Sequence, residues 1–355
     1  MNVQEQKAVV RDVLRIDCEL ESRRIMEAIQ RWTRDTMRKR GVVVALSGGV
    51  DSSVVGALCV RALGPERVFG LMMPEKDSSA ETMELSKLIV EHLGIQAECH
   101  DITPLLTAAG CYWRRDEAIR GVIPEYGSSY KCKIVLPSLS DGEGLRVFSV
   151  VVESPEGRRT KARLPLNTYL QIVAATNFKQ RVRKMLEYFH ADRLNFAVAG
   201  TPNLQEYDQG FFVKLGDGSA DLKPIAHLYK TQVYQLAEYL DLPQEIRSRP
   251  PTTDTYSMAQ DQEEFYFSVP YYILDLCLYA VNEGIPAGDT ARLLSLDVAH
   301  VERVYRDIQA KRNATRYQHM PPLSLDSKAR ICGDLRRSQQ SWGFAERIGA
   351  KGGGR

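Results

Sequence analysis

No stretch of this sequence stays apolar over the ~18 residues that a bilayer-spanning helix requires. The longest candidate, residues 269–281, is interrupted by Pro270 and Asp275. The first residues alternate charged and apolar side chains and contain no apolar signal-peptide core. A surplus of one charge is missing too. Lys and Arg number 47 against 45 Asp and Glu, leaving +2, which argues against a protein whose main task is to grip phosphate backbones. The 7 cysteines (Cys18, Cys59, Cys99, Cys111, Cys132, Cys277 and Cys332) form no CxxC pair. Neither a disulfide framework nor a zinc site is therefore signalled, and free thiols in a reducing compartment are expected. The 6 histidines show no HxxxH or HExxH spacing. What remains is the expectation of a cytoplasmic enzyme or binding protein with one large or two modest domains.

What is present is an alternation of elements. Residues 16–40 carry Ile25, Ile29, Trp32 and Met37 at helical spacing, and Gly41 stops that helix. Val42-Val43-Val44-Ala45-Leu46 is a short continuous apolar run, the pattern of a strand buried on both faces. Helices over 53–62 and 80–93 and strands over 68–73 and 96–101 follow, which together imply a parallel sheet. Residues 112–166 break the rhythm. Extended stretches at 131–136, 145–153 and 158–164, the last two joined by Ser154-Pro155-Glu156-Gly157, predict an antiparallel β insertion. The alternation resumes with a helix over 178–191, a strand over 196–200 and a helix over 230–240. The expected organisation is N-terminal helices (1–40), an α/β domain (41–250) holding the 112–166 insertion, a helical C-terminal region (251–348) and a disordered tail (349–355).

Between the first strand and its helix lies Ser47-Gly48-Gly49-Val50-Asp51-Ser52. Two glycines let successive backbone N–H groups point into one cup, and the helix adds its positive end. The two serines add hydroxyl donors. This is an anion cradle suited to pyrophosphate, and it is neither a GxxxxGK[ST] nor a GxGxxG sequence. A carboxylate inside it repels phosphates unless a divalent cation lies between, so Asp51 is expected to be a Mg²⁺ ligand. The competing reading is a glycine turn with a purely structural Asp51.

The SGGVDS segment resembles the PP-loop of N-type ATP pyrophosphatases. The second half of the chain is similar to one branch of that superfamily, the NAD synthetases. Asn177-Phe178-Lys179-Gln180-Arg181-Val182-Arg183-Lys184-Met185 resembles their NxxxRxRM helix. Thr201-Pro202-Asn203-Leu204-Gln205-Glu206, with the Gly210 to Asp221 segment, resembles GTxNxxE…GFFTKYGDGxxD. Leu228-Tyr229-Lys230-Thr231-Gln232-Val233 matches LYKTQV, and Pro251-Thr252-Thr253-Asp254 a PTAD-like element.

The resemblance implies a doubly wound, Rossmann-like α/β fold of the adenine nucleotide alpha hydrolase type, with ATP and Mg²⁺. It also implies a homodimer and an ATP-dependent amidation through an acyl-adenylate, most directly of deamido-NAD. Asp51 and Glu206 would share Mg²⁺. Ser47, Gly48, Gly49, Ser52, Thr201 and Thr252 would hold the phosphates, and Lys230 would neutralise departing pyrophosphate. Asn177 and Arg181 would face the acid substrate, and Asp217 and Asp221 would bind it or orient ammonia. Asp217 sits in a GDG turn and serves equally as a turn former. Arg183 and Lys184 read as solvated or dimer-rim charges.

Only about 46 residues precede the cradle, which leaves no room for a glutaminase, and Met1-Asn2 offers no cysteine nucleophile. Free ammonia, or ammonia from a separate partner, is expected. The insertion, the unusual Gln262-Glu263-Glu264-Phe265-Tyr266-Phe267 segment and a C-terminal stretch that only echoes HKRxxPP depart from the family pattern. They leave open a related enzyme that amidates another acid, with the aromatic cluster either core or a stacking wall. The basic residues Arg158, Arg159, Lys161, Arg163, Lys179, Arg181, Arg183 and Lys184 suggest a tRNA-modifying PP-loop protein as a further alternative, against the main expectation of no nucleic-acid partner. A non-catalytic nucleotide sensor is the last.

Overall fold

A computed structural model of the chain describes residues 1–136, 148–252 and 255–323. The chain divides into two units, Met1–Gln318 and His319–Arg355, and the architecture below is that of the first. Helix α1 (Val3–Val13) is started by a capping box between Asn2 and Glu5. Helix α2 (Cys18–Gln30), capped by Asp17, runs on into a π-helical turn, Arg31–Thr36. Strand β1 (Val42–Ala45), α3 (Val50–Leu63), β2 (Val68–Met72), α4 (Ala80–Leu93) and β3 (Gln96–Cys99) then alternate. Helices α5 (Thr103–Ala108) and α6 (Cys111–Arg120) lead to β4 (Lys131–Val135), β5 (Ser149–Glu153) and β6 (Arg159–Arg163). The long helix α7 (Leu166–Leu194), β7 (Ala197–Ala199), α8 (Leu204–Asp208), α9 (Lys230–Tyr239) and α10 (Gln244–Ser248) complete the α/β part. Helices α11 (Tyr271–Glu283), α12 (Ala287–Leu294) and α13 (Val298–Thr315) form the C-terminal layer.

The main sheet is parallel in the order β3-β2-β1-β7. Its central strands are apolar and buried: Val42, Val43, Val44 and Leu71 are fully covered. One core lies on the side of α2, α3 and α9 and includes Ile29, Val54, Leu58, Val233 and Leu236. The opposite face packs Val43, Phe69, Leu71 and Val198 against Leu106, Cys111 and Ala191. Because β1 has β2 on one side and β7, a much later strand, on the other, the chain reverses its winding at the β1/β7 boundary. The crevice beyond the carboxyl ends of such strands is where open α/β sheets place their ligands.

The insertion is a separate antiparallel sheet, β4-β5-β6, whose turn is closed by Gly157 N–H donating to the Ser154 carbonyl. Part of the expected middle strand, 145–147, lies outside the described residues, as do Asp254, Cys332 and the 349–355 tail. Two expectations need correction. Residues 111–120 form α6 rather than the start of the β segment. Helix α7 begins at Leu166 and not at 178, with Pro165 as its N-cap residue. Its first turns carry Asn167, Thr168, Ile172 and Val173, types that helices do not favour. Tertiary packing of Ile172 against the β4-β5-β6 core outweighs that propensity. No helix among the described residues is long and apolar enough to cross a membrane.

A buried ionic network joins the two sheets' surroundings. Lys179 on α7 is almost fully buried, and its Nζ donates to Glu75 Oε1 at 2.7 Å, Asp77 Oδ2 at 2.7 Å and the Thr255 carbonyl at 2.8 Å. Arg115 on α6 reaches Asp77 at 2.6 Å, and Tyr112 donates to Glu75 Oε2 at 2.7 Å. Removing one partner strands opposite charge in a dry interior. Lys179→Ala is expected to lower the unfolding free energy by about 3–5 kcal/mol in urea titration, and a loss under about 1 kcal/mol would show the network to be idle.

Candidate active site

The cradle after β1 is built as its sequence implies. Gly48 has φ +68°, and a Cβ there would meet Leu85 Cβ at 2.5 Å, so only glycine fits the turn. Ser52 Oγ donates to the Gly49 carbonyl at 3.0 Å and lies 3.3 Å from Ser47 Oγ, which closes the loop on itself. Gly49 caps α3 without a side chain, so no capping side chain occupies the first-turn N–H groups, which suits them to an anion.

Beside the cradle, β7 ends and the chain passes through Thr201 to Asn203. Asn203 is fully buried and caps α8 in a capping box with Glu206, N–H to carboxylate at 3.1 Å and the reverse bond also at 3.1 Å. Its amide Nδ2 donates to Asp51 Oδ1 at 3.0 Å. One asparagine thus touches both carboxylates. The second Asp51 oxygen pairs with Lys230 Nζ, a short contact made from the first turn of α9. Gln262 Nε2 donates to Glu206 Oε1 at 3.0 Å. Burial, and then the charge of Asp51, push Glu206 up to about 7. Burial alone would lower Lys230, but Asp51, Tyr234 and Glu206 outweigh it and hold its proton above the usual lysine range.

Two helix starts are tied together from behind by Asp275 of α11. Its carboxylate accepts from Lys230 N–H at 3.1 Å, Thr231 N–H at 2.7 Å and Gln205 Nε2 at 2.7 Å. Burial raises Asp275 to about 7, while these same bonds work in the opposite direction.

A cavity of about 650 Å³ opens over these groups and is lined by Ser47, Gly49, Asp51, Ser52, Thr201, Glu206, Lys230 and Thr252 on one side. Asn177, Arg181 and Asp217 line it from α7 and the loop after α8. Gly48 shapes the cradle from behind. Asp217 is held by its own loop, accepting from Val213 N–H at 2.8 Å, and burial raises its pKa. Asp221 does not join the cavity lining. It is exposed, and its carboxylate accepts from Val198 N–H at 2.8 Å and Tyr188 Oη–H at 3.2 Å, which ties it to β7 and α7.

Arg183 and Lys184 depart from the solvated reading as well. Lys184 is buried and pairs with buried Glu187 at 2.6 Å, and Arg183 Nε donates to the Met73 carbonyl at 3.2 Å. All three line the cavity. With Lys179 interred, the basic stretch of α7 offers no continuous cationic face. The aromatic cluster divides between core and cavity. Phe267 is core, edge-on to Phe211 at 5.2 Å, while Phe265 and Tyr266 line the cavity.

Sequence reasoning missed Asn203 as a carboxylate bridge, Gln262, Asp275 and Arg249. Arg249 lines the cavity, donates to Thr82 Oγ1 at 2.8 Å, and its buried Nε forms an ion pair with Glu81 Oε2 at 3.7 Å but no hydrogen bond among the described residues. Asn203 was legible as an N-cap three residues before a Glu. Nothing local marks Arg249 or Asp275.

The family model described as NAD synthase matches residues 23–119 and 157–318. The "NH(3)-dependent NAD(+) synthetase" of Rhizobium meliloti (strain 1021) is 57% identical over 311 residues, spanning 88% of this chain and 93% of that protein. The protein of the same name from Thermotoga maritima is 33% identical over 288 residues, 81% of this chain and 93% of its own length. Among solved structures, the NH3-dependent NAD synthetase from Campylobacter jejuni in complex with the nitrate ion superposes with a TM-score of 0.57 at 22% identity. That match covers 88% of this chain and 100% of the other, and it shows a shared fold. The chain belongs to the NAD synthase family.

Proposed function

We propose that the protein is an ammonia-dependent NAD synthetase, an ATP-dependent ligase that converts the nicotinate carboxyl of deamido-NAD to the amide and releases AMP and pyrophosphate. The observation that carries this reading is the convergence of Asp51, Glu206 and Lys230, bridged by Asn203, beside a helix start suited to phosphate. The names of relatives identical at over half of the aligned residues support the same ammonia source and product.

The charges at the site fit a divalent cation. Two carboxylates face one ammonium, and the Asp51 charge adds to burial in raising Glu206. Asp51 and Glu206 would hold Mg²⁺, a hard cation suited to carboxylate and phosphate oxygens. When bound, it neutralises charge on the triphosphate. The chain's own residues do the remaining work. The cradle N–H groups and the hydroxyls of Ser47, Ser52, Thr201 and Thr252 position the phosphates, and Arg249 Nε offers a further donor. Asn177 and Arg181 hold the acid so that a carboxylate oxygen attacks the α-phosphorus. The bond from that phosphorus to the bridging oxygen breaks, and Lys230 takes up the charge on departing pyrophosphate. Ammonia then attacks the acyl carbon of the adenylate, loses a proton, and AMP leaves. No enzyme nucleophile is required. A symmetric homodimer in the cytoplasm belongs to this reading, and the exposed Leu166, Leu170, Met185 and Phe189 on α7 support an apolar contact.

Lys230→Ala is expected to cut kcat by about 10²–10³, measured as pyrophosphate release, and near-normal turnover would remove Lys230 from the mechanism. In purified protein, ammonia should support NAD formation from deamido-NAD where glutamine does not. A different acid consumed faster in a side-by-side panel would instead favour a related amide synthetase. Glu206 binds its proton more tightly in the folded chain than in the unfolded one, where a carboxyl sits near 4.3. Its contribution to stability is therefore full below about pH 4 and lost as pH rises through about 7. With chelator present, Glu206→Gln should flatten the fall of unfolding free energy between those limits, and an unchanged slope would contradict that assignment.

A further inference from the structure

Away from the nucleotide cavity, the outer edge of the main sheet carries a second cluster. Glu98 lies on the edge strand β3, His100 follows it, and His190 comes from α7. None of the three lines the cavity. They are the one set of His, Cys, Asp or Glu side chains among the described residues whose ligand atoms all lie within 4.8 Å of one another. His190 Nε2 is 3.0 Å from His100 Nε2, His100 Nε2 is 3.1 Å from Glu98 Oε2, and His190 Nε2 is 3.9 Å from that same oxygen.

These three contacts cannot all be hydrogen bonds at once. Each Nε2 has a single in-plane site, either a proton or a lone pair. If His190 donates to His100, then His100 has no proton there for Glu98. If His100 donates to Glu98, then the two imidazoles meet without a hydrogen bond, or with two protons opposed. A cation that accepts three lone pairs removes the conflict. The separations bracket the roughly 3.3 Å expected between neighbouring ligand atoms of a tetrahedral ion with bonds of about 2.0–2.1 Å. A point about 2 Å from all three atoms exists, slightly outside their plane.

The ligands are held before any ion arrives. His190 is almost fully buried, stacked on Phe69 at 5.3 Å and edge-on to Phe189 at 5.0 Å. The His100 backbone N–H donates to the Met72 carbonyl at 2.8 Å, and Glu98 sits in register opposite Leu71. His100 and Glu98 remain part-exposed, with side chains 34% and 44% accessible, which leaves a solvent-facing position for a fourth ligand.

We propose that Glu98, His100 and His190 form a binding site for a borderline divalent metal of the Zn²⁺ class, separate from the Mg²⁺-ATP centre, that staples the edge strand β3 to α7. Two imidazoles and one carboxylate suit zinc and its neighbours rather than magnesium. Arg193 governs the site. Its Nε donates to His190 Nδ1 at 2.9 Å and its NH2 to Glu98 Oε1 at 2.5 Å. A neutral His190 that ligates through Nε2 keeps its proton on Nδ1, so the Arg193–His190 bond must open when metal enters. Arg193 is part-exposed and can swing away. A glutamine there would accept the Nδ1 proton instead, the usual orienting arrangement for a metal-bound imidazole.

The test uses full-length protein stripped with chelator and held in excess Mg²⁺. It is titrated with Zn²⁺ against a competing indicator and, separately, with Co²⁺ read by visible absorption. Wild type should bind one equivalent with a four-coordinate Co²⁺ spectrum, and its Tm should rise with Zn²⁺. Glu98→Gln combined with His100→Gln, both on the part-exposed edge, should weaken binding at least 100-fold. Arg193→Gln should tighten it about 10-fold or more. Absence of stoichiometric binding in wild type, binding unchanged in the Glu98/His100 double variant, or binding lost in Cys99→Ser would each overturn the site. Arg193→Gln binding no tighter than wild type would overturn the role given to Arg193.

Discussion

Everything at the carboxyl end of the main sheet turns on a charge imbalance. Asp51 and Glu206 bring two carboxylates to one cavity, and Lys230 answers only one of them. Burial, reinforced by the charge of Asp51, raises Glu206 to about 7. A site tuned this way is costly to the empty protein, and in the proposed reading a cation bound with ATP would take the place of the proton on Glu206. Asn203 makes the arrangement rigid. A single buried amide fixes Asp51 with its side chain and Glu206 with its backbone, so neither carboxylate can relax away from the other.

The C-terminal helices are what keep the imbalance in place. Asp275 of α11 binds the N-terminus of α9, which carries Lys230, and through Gln205 it also holds α8, which carries Glu206. Its charge lies against the positive end of α9, the favourable side of the helix dipole. Arg312 of α13 clamps Asp208 at the end of α8 with bonds of 2.8 and 2.9 Å. Thr315 packs so closely on Gly210 that a Cβ there would sit 2.3 Å away. The C-terminal region therefore sets the position of Glu206 and Lys230, cavity groups it does not itself contribute.

How much of this was legible in the sequence follows from the range of the interactions. The cradle and the alternating elements were readable because strand, turn and helix starts are written in adjacent residues: Val42 to Ser52 suffices. The Asp51–Glu206 pairing was legible only through family resemblance, since 155 positions separate them in the chain. Asp275, Arg249 and the burial of Lys179 and Lys184 were not legible at all. Each depends on which distant element supplies the opposite charge, and composition records a lysine without recording its partner. The bond from Val198 N–H to Asp221 was equally hidden, since a motif position does not say which backbone group its carboxylate meets. Helix α7 was truncated at its start because its first turns spell β-branched and turn-forming residues, and only the insertion packed beside them makes them helical.

That insertion is also where the chain departs from the family model, which passes from residue 119 to 157. Its edge strand β4 is not left open. Met258 N–H donates to the Cys132 carbonyl at 3.1 Å, Cys132 N–H to Ser257 Oγ at 2.9 Å, and Gln260 Nε2 to the Ile134 carbonyl at 2.6 Å. Lys133 adds an ion pair to Glu264 at 2.7 Å. The segment bonded in this way, residues 255–264, also receives Lys179 at the Thr255 carbonyl and supplies Gln262 to Glu206. A covered edge strand resists pairing with other chains, but here the covering segment carries a site residue as well. The β4-β5-β6 sheet therefore reaches the cavity carboxylate Glu206 through two links, β4 to the 255–264 segment and Gln262 to Glu206. A change in its packing would move the hydrogen bond that helps to hold Glu206, even though none of its strands lines the cavity.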